Sequence, residues 1–372
     1  MSCNFFLPKK NRSCRMQPLP GSLFCVEHTS SVERISCPID PKHSVSISDL
    51  DKHVLICHKT KDLLFVKSQK LFNENINLKS TSKPITNDSD DEVHNMTEEV
   101  QQSFFDKVSR ALGDLIVQAL ASNISIDDLN EPDEDVEVLS GVEKHSVQND
   151  ALWDLIEGEF LDERNICVAE FGCGSGGLAG RIMQDEKTWK YLLVERETRR
   201  CKKERLCTDV ESVRLRLDLK DADLSQIESV FNEPLTSLLI CAKHLCGEAS
   251  DLALLSSLRS KIPVAFCVAT CCHHSCTWDN FVASEIFNDL GLDSDFETLK
   301  LMSGWGCSRS ASFDNKKRQL GRMIKRMFDI ARCLWISKQH KEGYIKIVSE
   351  RIMYKRFIGQ NASPENWVIL VG

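Results

Sequence analysis

The stretch Glu170–Gly177 (EFGCGSGG) decides the fold class of this 372-residue chain. It continues an apolar run, Ile166–Phe171 (ICVAEF), whose composition predicts a buried strand, and it precedes Gly177–Met183, which is predicted to be helical. Glycine lets a backbone turn tightly and pass close to a bound molecule. A glycine-rich turn between a strand and a helix therefore predicts a cofactor loop in an α/β sheet.

Two cofactor patterns fit this loop. The dinucleotide fingerprint GxGxxG fits Gly172–Gly177, with Glu195 placed about 20 residues on, where an acid binds ribose hydroxyls. The pattern ExGxGxG, which begins at Glu170, resembles motif I of the class I methyltransferases, whose glycines lie along the methionine part of S-adenosylmethionine. On the second pattern the predicted cofactor-binding residues are Glu170, Gly172, Gly174, Gly176, Glu195 and Asp218.

Glu170 separates the two patterns. In dinucleotide enzymes the pyrophosphate lies at the helix N-terminus, where a carboxylate two residues before the first glycine is poorly placed. The same carboxylate suits a cofactor with a positive sulfonium and amino group. Asp218, at the end of a later predicted strand, suits adenine recognition. The methyltransferase pattern is therefore favoured, and a nicotinamide-dependent dehydrogenase stays as the alternative.

The rest of residues 141–372 alternates between apolar strands and helices. Continuous apolar strands separated by helices predict a parallel sheet covered on both faces, which is a Rossmann-like α/β fold. The further predicted strands are Tyr191–Val194, Val213–Leu217, Leu238–Ala242, Pro263–Ala269 and Trp367–Val371.

Two strand ends carry groups suited to proton transfer. One strand ends in Lys243-His244-Leu245-Cys246-Gly247, and the next ends in Cys271–Trp278 (CCHHSCTW). Ligands of doubly wound sheets bind outside the carboxyl ends of the strands, and Lys or His can remove a proton from a hydroxyl acceptor. The predicted catalytic residues are Lys243, His244, His273 and His274.

The second of these loops has other interpretations. A third metal site could be built from Cys271, Cys272, His273, His274 and Cys276, although adjacent ligands rarely fit one tetrahedron. Cys272 could be a nucleophile, but no suitably placed second cysteine is obvious. Cys271 and Cys272 could also be small core residues at a strand end.

The 17 cysteines are concentrated towards the N-terminus, with five in the first 57 residues. These five cysteines and three histidines divide into two sets of four, which is the number of ligands in a structural zinc site. The first set is Cys3, Cys14, Cys25 and His28, within residues 1–30, and the second is Cys37, His43, His53 and Cys57, within residues 33–60. His58 could replace Cys57 in the second set. The sequence therefore predicts a Cys3His finger followed by a CHHC finger.

Composition and charge also narrow the class of protein to which the chain can belong. The content of 42% hydrophobic and 27% charged residues is that of a globular chain, and no stretch approaches the ~20 apolar residues of a membrane helix. The first residues lack the apolar core of a signal peptide, so we expect an intracellular protein, in the nucleus, the cytoplasm or both. Residues 61–140 are polar and acidic and predict a partly disordered linker with helical pieces.

The segment 316–356 has the opposite charge balance. It holds 13 Lys and Arg against three acids, although the whole chain has a net charge of −8. A long amphipathic helix over 315–337 with its charges exposed is predicted, and such an excess favours a nucleic-acid surface over an ordinary solvated face.

The order of these features resembles one enzyme family. It is that of the eukaryotic tRNA 2′-O-methyltransferases that modify the fourth nucleotide of the acceptor stem, and the likeness covers residues 1–76 and 144–372. Cys173 and Ser175 stand where the family has Ala and a basic residue, and Ser275 where it has Arg. The stretches that carry the resemblance are Tyr191–Arg196 (YLLVER), Lys243–Leu254 (KHLCGEASDLAL), Cys271–Trp278 (CCHHSCTW) and Ser363–Asn366 (SPEN).

The resemblance implies a function. It implies a class I methyltransferase domain with N-terminal zinc-finger modules, S-adenosylmethionine as methyl donor, zinc in the two fingers and the tRNA acceptor stem as partner. Gly172–Gly176, Glu195 and Asp218 would then bind the cofactor. No membrane association is expected, and the sequence does not identify a protein partner. The second hypothesis is a non-catalytic RNA-binding protein with a degenerate methyltransferase fold.

Overall fold

The computed structural model describes residues 2–7, 11–29, 33–79, 93, 96–129, 141–160, 165–308, 313–359 and 362–372. Its contacts divide into two compact units, Met1–Ser68 and Gln69–Gly372. In the described ranges, no helix combines the length and apolar character that crossing a membrane requires.

The first unit consists of two small modules. Each begins with a short antiparallel hairpin, and the second continues into two helices. Of the described hydrophobic and cysteine residues in this unit, only Val45 and the five cysteines are buried. A unit with so small an apolar core needs metal ligation to be stable. Its elements are β1 (Phe6–Leu7), β2 (Arg12–Ser13), β3 (Arg34–Ser36), β4 (Ser44–Ser46), α1 (Leu50–Ile56) and α2 (His58–Lys67).

The second unit is built on an eight-stranded sheet. Its strands are β5 (Ile124–Ile126), β6 (Ile166–Phe171), β7 (Lys190–Val194), β8 (Ser212–Leu215), β9 (Ser237–Cys246), β10 (Val264–Cys271), β11 (Ile352–Arg356) and β12 (Trp367–Val371). Their order across the sheet is β5-β11-β12-β10-β9-β6-β7-β8. The strands from β10 to β8 are parallel, whereas β12 is antiparallel to both β10 and β11.

The topology places the glycine loop at the switch point of the sheet. β6 lies between β7, which follows it in the chain, and β9, which begins the other half. Ligands of doubly wound sheets bind in the crevice outside such a point. All six residues of β6 are buried, as expected of a central parallel strand covered on both faces.

Helices cover both faces of the sheet. They are α3 (Glu98–Ala121), α4 (Gly141–Phe160), α5 (Gly177–Asp185), α6 (Glu228–Phe231), α7 (Glu248–Ser257), α8 (Ser284–Asp289), α9 (Phe296–Ser303) and α10 (Asn315–Lys341). α4 and α5 pack on one face around Trp153, Ile182 and Val168, while α3, α7, α9 and α10 form the larger core on the other. The predicted α/β fold with small N-terminal zinc-finger modules is confirmed.

The region predicted to be a linker, 61–140, differs from expectation where it is described. α3 packs along α10 through buried residues such as Leu112 and Leu115, and β5 adds a parallel strand to β11. Residues 69–79 also join the second unit, where Asn77 Nδ2 donates to the carbonyl oxygens of Leu219 and Ala222, both at 2.7 Å. The helical piece expected in this region is present as α3, but the linker prediction missed that α3 and β5 pack into the second unit. Residues 80–92, 94–95 and 130–140 of this prediction lie outside the described part.

The long basic helix is present, but it is not an exposed charged surface over most of its length. α10 is buried from Ile324 to Ser337, and α3 packs along it. Some of its charges are paired inside the unit. Arg332 pairs with Asp251 at 2.7 Å and with Asp329 at 2.9 Å, and its side chain is 1% exposed. Three of the 13 basic residues in 316–356, Lys325, Arg326 and Arg332, are therefore buried, and the others are at least partly exposed.

Candidate functional site

The glycine loop takes the backbone conformations that require glycine. Gly172, Gly174 and Gly176 have φ of +60°, +51° and +74°, in the left-handed region. A Cβ on Gly176 would lie 2.8 Å from Glu204 Oε2, whereas one on Gly174 would meet nothing within 4 Å. Gly176 is therefore needed for packing, and Gly174 keeps a space open in front of the loop.

Glu170 lies beneath the start of α5. Its side chain is buried, and Oε2 accepts a hydrogen bond from Ala179 N at 2.9 Å. Burial raises the pKa of Glu170 to about 7, and the hydrogen bonds from backbone N–H groups oppose that rise. A positively charged group beside this buried carboxylate would stabilise its ionised form.

The next two predicted acids lie at the ends of β7 and β8. Glu195 ties the glycine loop to β7, since its Oε2 accepts from Gly174 N at 2.8 Å. Its Oε1 accepts from Glu197 N at 3.0 Å. Asp218 caps a short turn, where Oδ1 accepts from Lys220 N at 3.2 Å. Both acids lie at the carboxyl edge of the sheet, as predicted from their strand ends.

An ion pair that was not predicted from the sequence supports the loop. Arg214 on β8 makes two hydrogen bonds to Glu204, at 2.5 and 2.9 Å, and donates to the carbonyl oxygen of Gly174 at 3.0 Å. Paired Arg–carboxylate contacts of this kind are strong and directional. Their sequence signal, two charges ten residues apart, is too common to have been recognised.

A cavity of about 560 Å³ opens beside the glycine loop. Glu170, Gly172 and Gly174 line it together with Lys243, whereas Gly176, Glu195 and Asp218 do not. Asn149, on α4, also lines it, and its Oδ1 is buried without a hydrogen-bond partner in the described structure. An unpaired acceptor and a buried carboxyl on one cavity fit a ligand that carries positive charge and N–H donors. S-Adenosylmethionine has both, so the residues present fit this cofactor.

Lys243 is the predicted catalytic residue that shares this cavity. Its Nζ donates to the carbonyl oxygen of His145 at 3.2 Å, so α4 holds the ammonium group against the cavity wall. Burial lowers the pKa of Lys243 to about 8, and the charge of Glu170 opposes that fall. A fraction of this side chain is consequently neutral near physiological pH.

His244 lies behind Lys243, at an irregularity of β9. Its φ is +60°, and the pairing of β9 with β10 shifts register at this point. The ring Nε2 lies 3.2 Å from Gln148 Oε1, so this nitrogen donates and Nδ1 keeps its lone pair. Burial, followed by the charge of Lys243, lowers the pKa of His244 to about 4, and its imidazole is neutral at physiological pH.

The two histidines after β10 are separated from this cavity. His273 is 2% exposed and its Nε2 lies 3.0 Å from Asp329 Oδ1, in a second small cavity with Lys325 and Glu365. Burial by itself raises the pKa of Asp329, but His273 and Arg332 outweigh it and hold this pKa well below its usual range. His274 is exposed. The structure thus brings Lys243 to the cavity beside the glycine loop, holds His244 against Gln148 and directs His273 to a buried ionic cluster.

The five-residue metal set predicted after β10 is not brought together. Cys276 Sγ lies 3.1 Å from Arg332 Nη2, and His273 is bound to Asp329. Cys271 and Cys272 instead converge with Cys246 of β9. The loop turns too sharply at Cys272 for one ion to reach all five side chains.

The first predicted zinc set converges in the N-terminal unit. His28 Nδ1 lies 3.5 Å from Cys3 Sγ and 3.3 Å from Cys25 Sγ, and the Sγ atoms of Cys14 and Cys25 are 4.0 Å apart. Tetrahedral zinc with bonds of 2.0 to 2.3 Å separates its ligand atoms by about 3.3 to 3.8 Å. The four donors therefore fit one zinc ion.

The second set converges in the same way. His53 Nε2 lies 3.2 Å from Cys37 Sγ and 3.0 Å from His43 Nε2, and Cys57 Sγ lies 3.8 Å from His43 Nε2. His58 instead points to Asp62 at 3.6 Å with its side chain 77% exposed, so it does not replace Cys57.

Comparison with known families gives the same division of the chain. A CCCH zinc finger of TRM13 proteins matches residues 1–29, a U11-48K-like CHHC zinc finger matches 34–58, and the methyltransferase TRM13 domain matches 147–317. The chain thus matches the TRM13 methyltransferase family in its first finger and in its catalytic domain. These matches favour the methyltransferase pattern of the glycine loop over the dinucleotide pattern, so the dehydrogenase alternative is not favoured.

TRM13 relatives match along most of the chain. A protein of Vanderwaltozyma polyspora named tRNA:m(4)X modification enzyme TRM13 is 27% identical over 100% of this chain and 97% of its own length. Homologues of that name from Mus musculus and Homo sapiens are 29% and 26% identical, covering 84% and 94% of this chain and 75% and 82% of their own. Among solved structures, a plantazolicin methyltransferase bound to SAH matches with a TM-score of 0.30 and 11% identity, over 62% of this chain and 85% of its own.

Proposed function

We propose that this chain transfers a methyl group from S-adenosylmethionine to a tRNA, at the ribose 2′-hydroxyl of the fourth nucleotide of the acceptor stem. The relatives named as tRNA modification enzymes support tRNA as the substrate. The resemblance set out above supports the ribose hydroxyl and its position.

The observation that carries the proposal is the cavity beside the glycine loop. It joins acceptors for a cationic cofactor, Glu170 and Asn149, to an amine of lowered pKa, Lys243. A dinucleotide would bring a pyrophosphate to this place, where the buried carboxyl of Glu170 would repel it. Glu170 and Asn149 favour a positive ligand, because each offers an acceptor at the cavity wall.

Each residue then has a stated part in binding. Gly172, Gly174 and Gly176 form the turn that lets the methionine part approach the backbone, and Glu170 and Asn149 accept from its amino group. Glu195 and Asp218, which lie outside this cavity at the ends of the next two strands, are assigned to the ribose and adenine ends of the cofactor. S-Adenosylmethionine, when bound, supplies a methyl group made electrophilic by the positive sulfur.

Lys243 is the proposed acceptor of the hydroxyl proton. A hydroxyl becomes a strong nucleophile as its proton leaves, and an amine with a pKa of about 8 is partly neutral near physiological pH and can take that proton as the methyl group is transferred. His244 keeps the local backbone in its irregular turn and holds Gln148, which makes it a positioning residue. Orientation of the two substrates contributes at least as much to the rate as the base does.

tRNA binding is assigned to the two zinc fingers and to the exposed basic residues of the second unit. Lys316 and Lys346 are exposed, whereas Lys325 and Arg332 are buried and unavailable to phosphates. The affinity of a protein for phosphates falls steeply with salt concentration. The slope of the logarithm of tRNA affinity against the logarithm of salt concentration therefore measures the number of phosphate contacts.

The test is methylation of total tRNA with labelled S-adenosylmethionine by the zinc-loaded full chain, followed by mapping of the modified nucleotide. A label on the ribose of the fourth nucleotide supports the proposal, and a methylated base overturns the hydroxyl assignment. Calorimetry with S-adenosylmethionine decides the non-catalytic alternative, which predicts a folded protein that binds no cofactor. The matched control for Lys243→Met is Lys187→Met, at an exposed lysine whose ammonium group already pairs with Asp209.

A further inference from the structure

Three cysteines from two neighbouring strands meet at the carboxyl edge of the sheet. They are Cys246, the last residue of β9, and Cys271 and Cys272, at the end of β10 and just after it. Their Sγ atoms all lie within 4.8 Å of one another, and those of Cys246 and Cys271 are 3.1 Å apart. None of them belongs to the two finger sets or to the lining of the cofactor cavity.

The backbone departs from regular structure in two places to make this meeting. The register of β9 against β10 shifts between Ala269 and Thr270, which leaves His244 unpaired and sets Cys271 beside Cys246. Cys272 has φ of +30° and ψ of 46°, a left-handed conformation that costs a residue other than glycine about 1–2 kcal/mol. Such strain is found where the surrounding structure or a bound ligand requires it.

The two fingers provide an internal reference for these distances. In each finger and in this cluster alike, the candidate ligand atoms all lie within 4.8 Å of one another. The three thiols therefore meet the same distance limit as the finger ligands, although they come from adjacent strands. Two thiols would suffice for a disulfide, whereas a metal ion uses all three.

We propose that Cys246, Cys271 and Cys272 bind a third zinc ion. Three thiolates are soft ligands that select a thiophilic metal such as zinc, and each thiol gives up its proton when the ion binds. Zinc takes four ligands, so a group other than these three completes the site. The ion would join the ends of β9 and β10, and with them the turn that carries Lys243 and His244.

The test counts metal in the full chain. The protein is reconstituted with zinc under reducing conditions, dialysed, and analysed for zinc per chain by mass spectrometry. Three ions are expected in the wild type, two in Cys246→Ser and two in the finger variant Cys25→Ser. The matched control is Cys276→Ser, which changes a cysteine of the same loop that contacts Arg332, and it should retain three.

A second measurement uses the wild type alone, so it does not depend on the folding of any variant. Cys246 is exposed, and its alkylation should be slower by about tenfold or more with zinc than after chelation, because a metal-bound thiolate is a poor nucleophile. Cys201, also exposed and outside the three clusters, should react at one rate in both states.

The proposal is overturned if the wild type holds two ions, or if Cys246→Ser retains three. Linked peptides of Cys246 and Cys271 that are lighter by two hydrogen atoms under non-reducing conditions would identify a disulfide and overturn it as well. None of these readouts depends on methyl transfer, so failure here leaves the proposed function untouched.

Discussion

Replacing Glu170 by Gln changes the stability of the protein in a way that depends on pH. Gln has the shape of the protonated carboxyl and keeps an oxygen to accept from Ala179 N. It has no charge to lose or gain between pH 4 and 9. The variant therefore isolates the cost of burying the ionised carboxyl.

The magnitude follows from the raised pKa. The carboxyl ionises at about 7 in the folded protein and at 4.5 ordinarily, and each pKa unit corresponds to 1.36 kcal/mol. Below pH 4.5 the carboxyl is protonated in both states, so the two proteins have the same pH dependence. Between 4.5 and 7 only the folded state keeps the proton, so wild-type stability falls as pH rises, by about 3 kcal/mol in all. Relative to wild type, Glu170→Gln should become more stable by that amount between pH 4.5 and 8.

Urea denaturation of the cofactor-free chain measures this difference. Tryptophan fluorescence is a suitable signal, because Trp153 and Trp189 are buried in the same apolar layer as α5. Glu157→Gln, at an exposed position of α4, is the control for the chemical change alone. A difference that is the same at pH 5 and pH 8, or a variant that is less stable at pH 8, would refute the reasoning.

Three further predictions concern other residues. Lys243→Arg keeps the positive charge but cannot act as a base, so methyl transfer should fall sharply and lose the rise through pH 8 that the wild type shows in a pH–rate profile. Gly174→Ala places a methyl group in open space, so it should weaken S-adenosylmethionine binding in calorimetry while lowering stability by only about 1–2 kcal/mol. Gly176→Ala should lower stability more in thermal unfolding, because its methyl group would lie 2.8 Å from Glu204 Oε2. Arg332→Met removes the arginine that pairs with the buried carboxylates of Asp251 and Asp329, so it should destabilise the second unit by about 3–5 kcal/mol in urea denaturation. An unchanged denaturation midpoint would contradict this prediction.

The sequence by itself determined the local chemistry of this protein. The glycine loop follows from a strict local pattern, because left-handed backbone at Gly172, Gly174 and Gly176 excludes most other residues. The finger ligands follow from spacing, because zinc fixes both the number and the separation of its donors. Apolar runs such as Ile166–Phe171 gave the central strands, because a parallel strand covered on both faces has no polar side.

Only the tertiary structure decided how distant residues combine. His273 looked equivalent to His244 in sequence, yet Asp329, 56 residues away, holds it in another cavity. The helical piece expected in residues 61–140 is present as α3, but its packing along α10 is a property of the fold that the acidic segment did not reveal. The cluster of Cys246 with Cys271 and Cys272 depends on a one-residue shift in strand register. Register, burial and ion pairing are set by the packing of the whole sheet, so a local pattern of residues does not contain them.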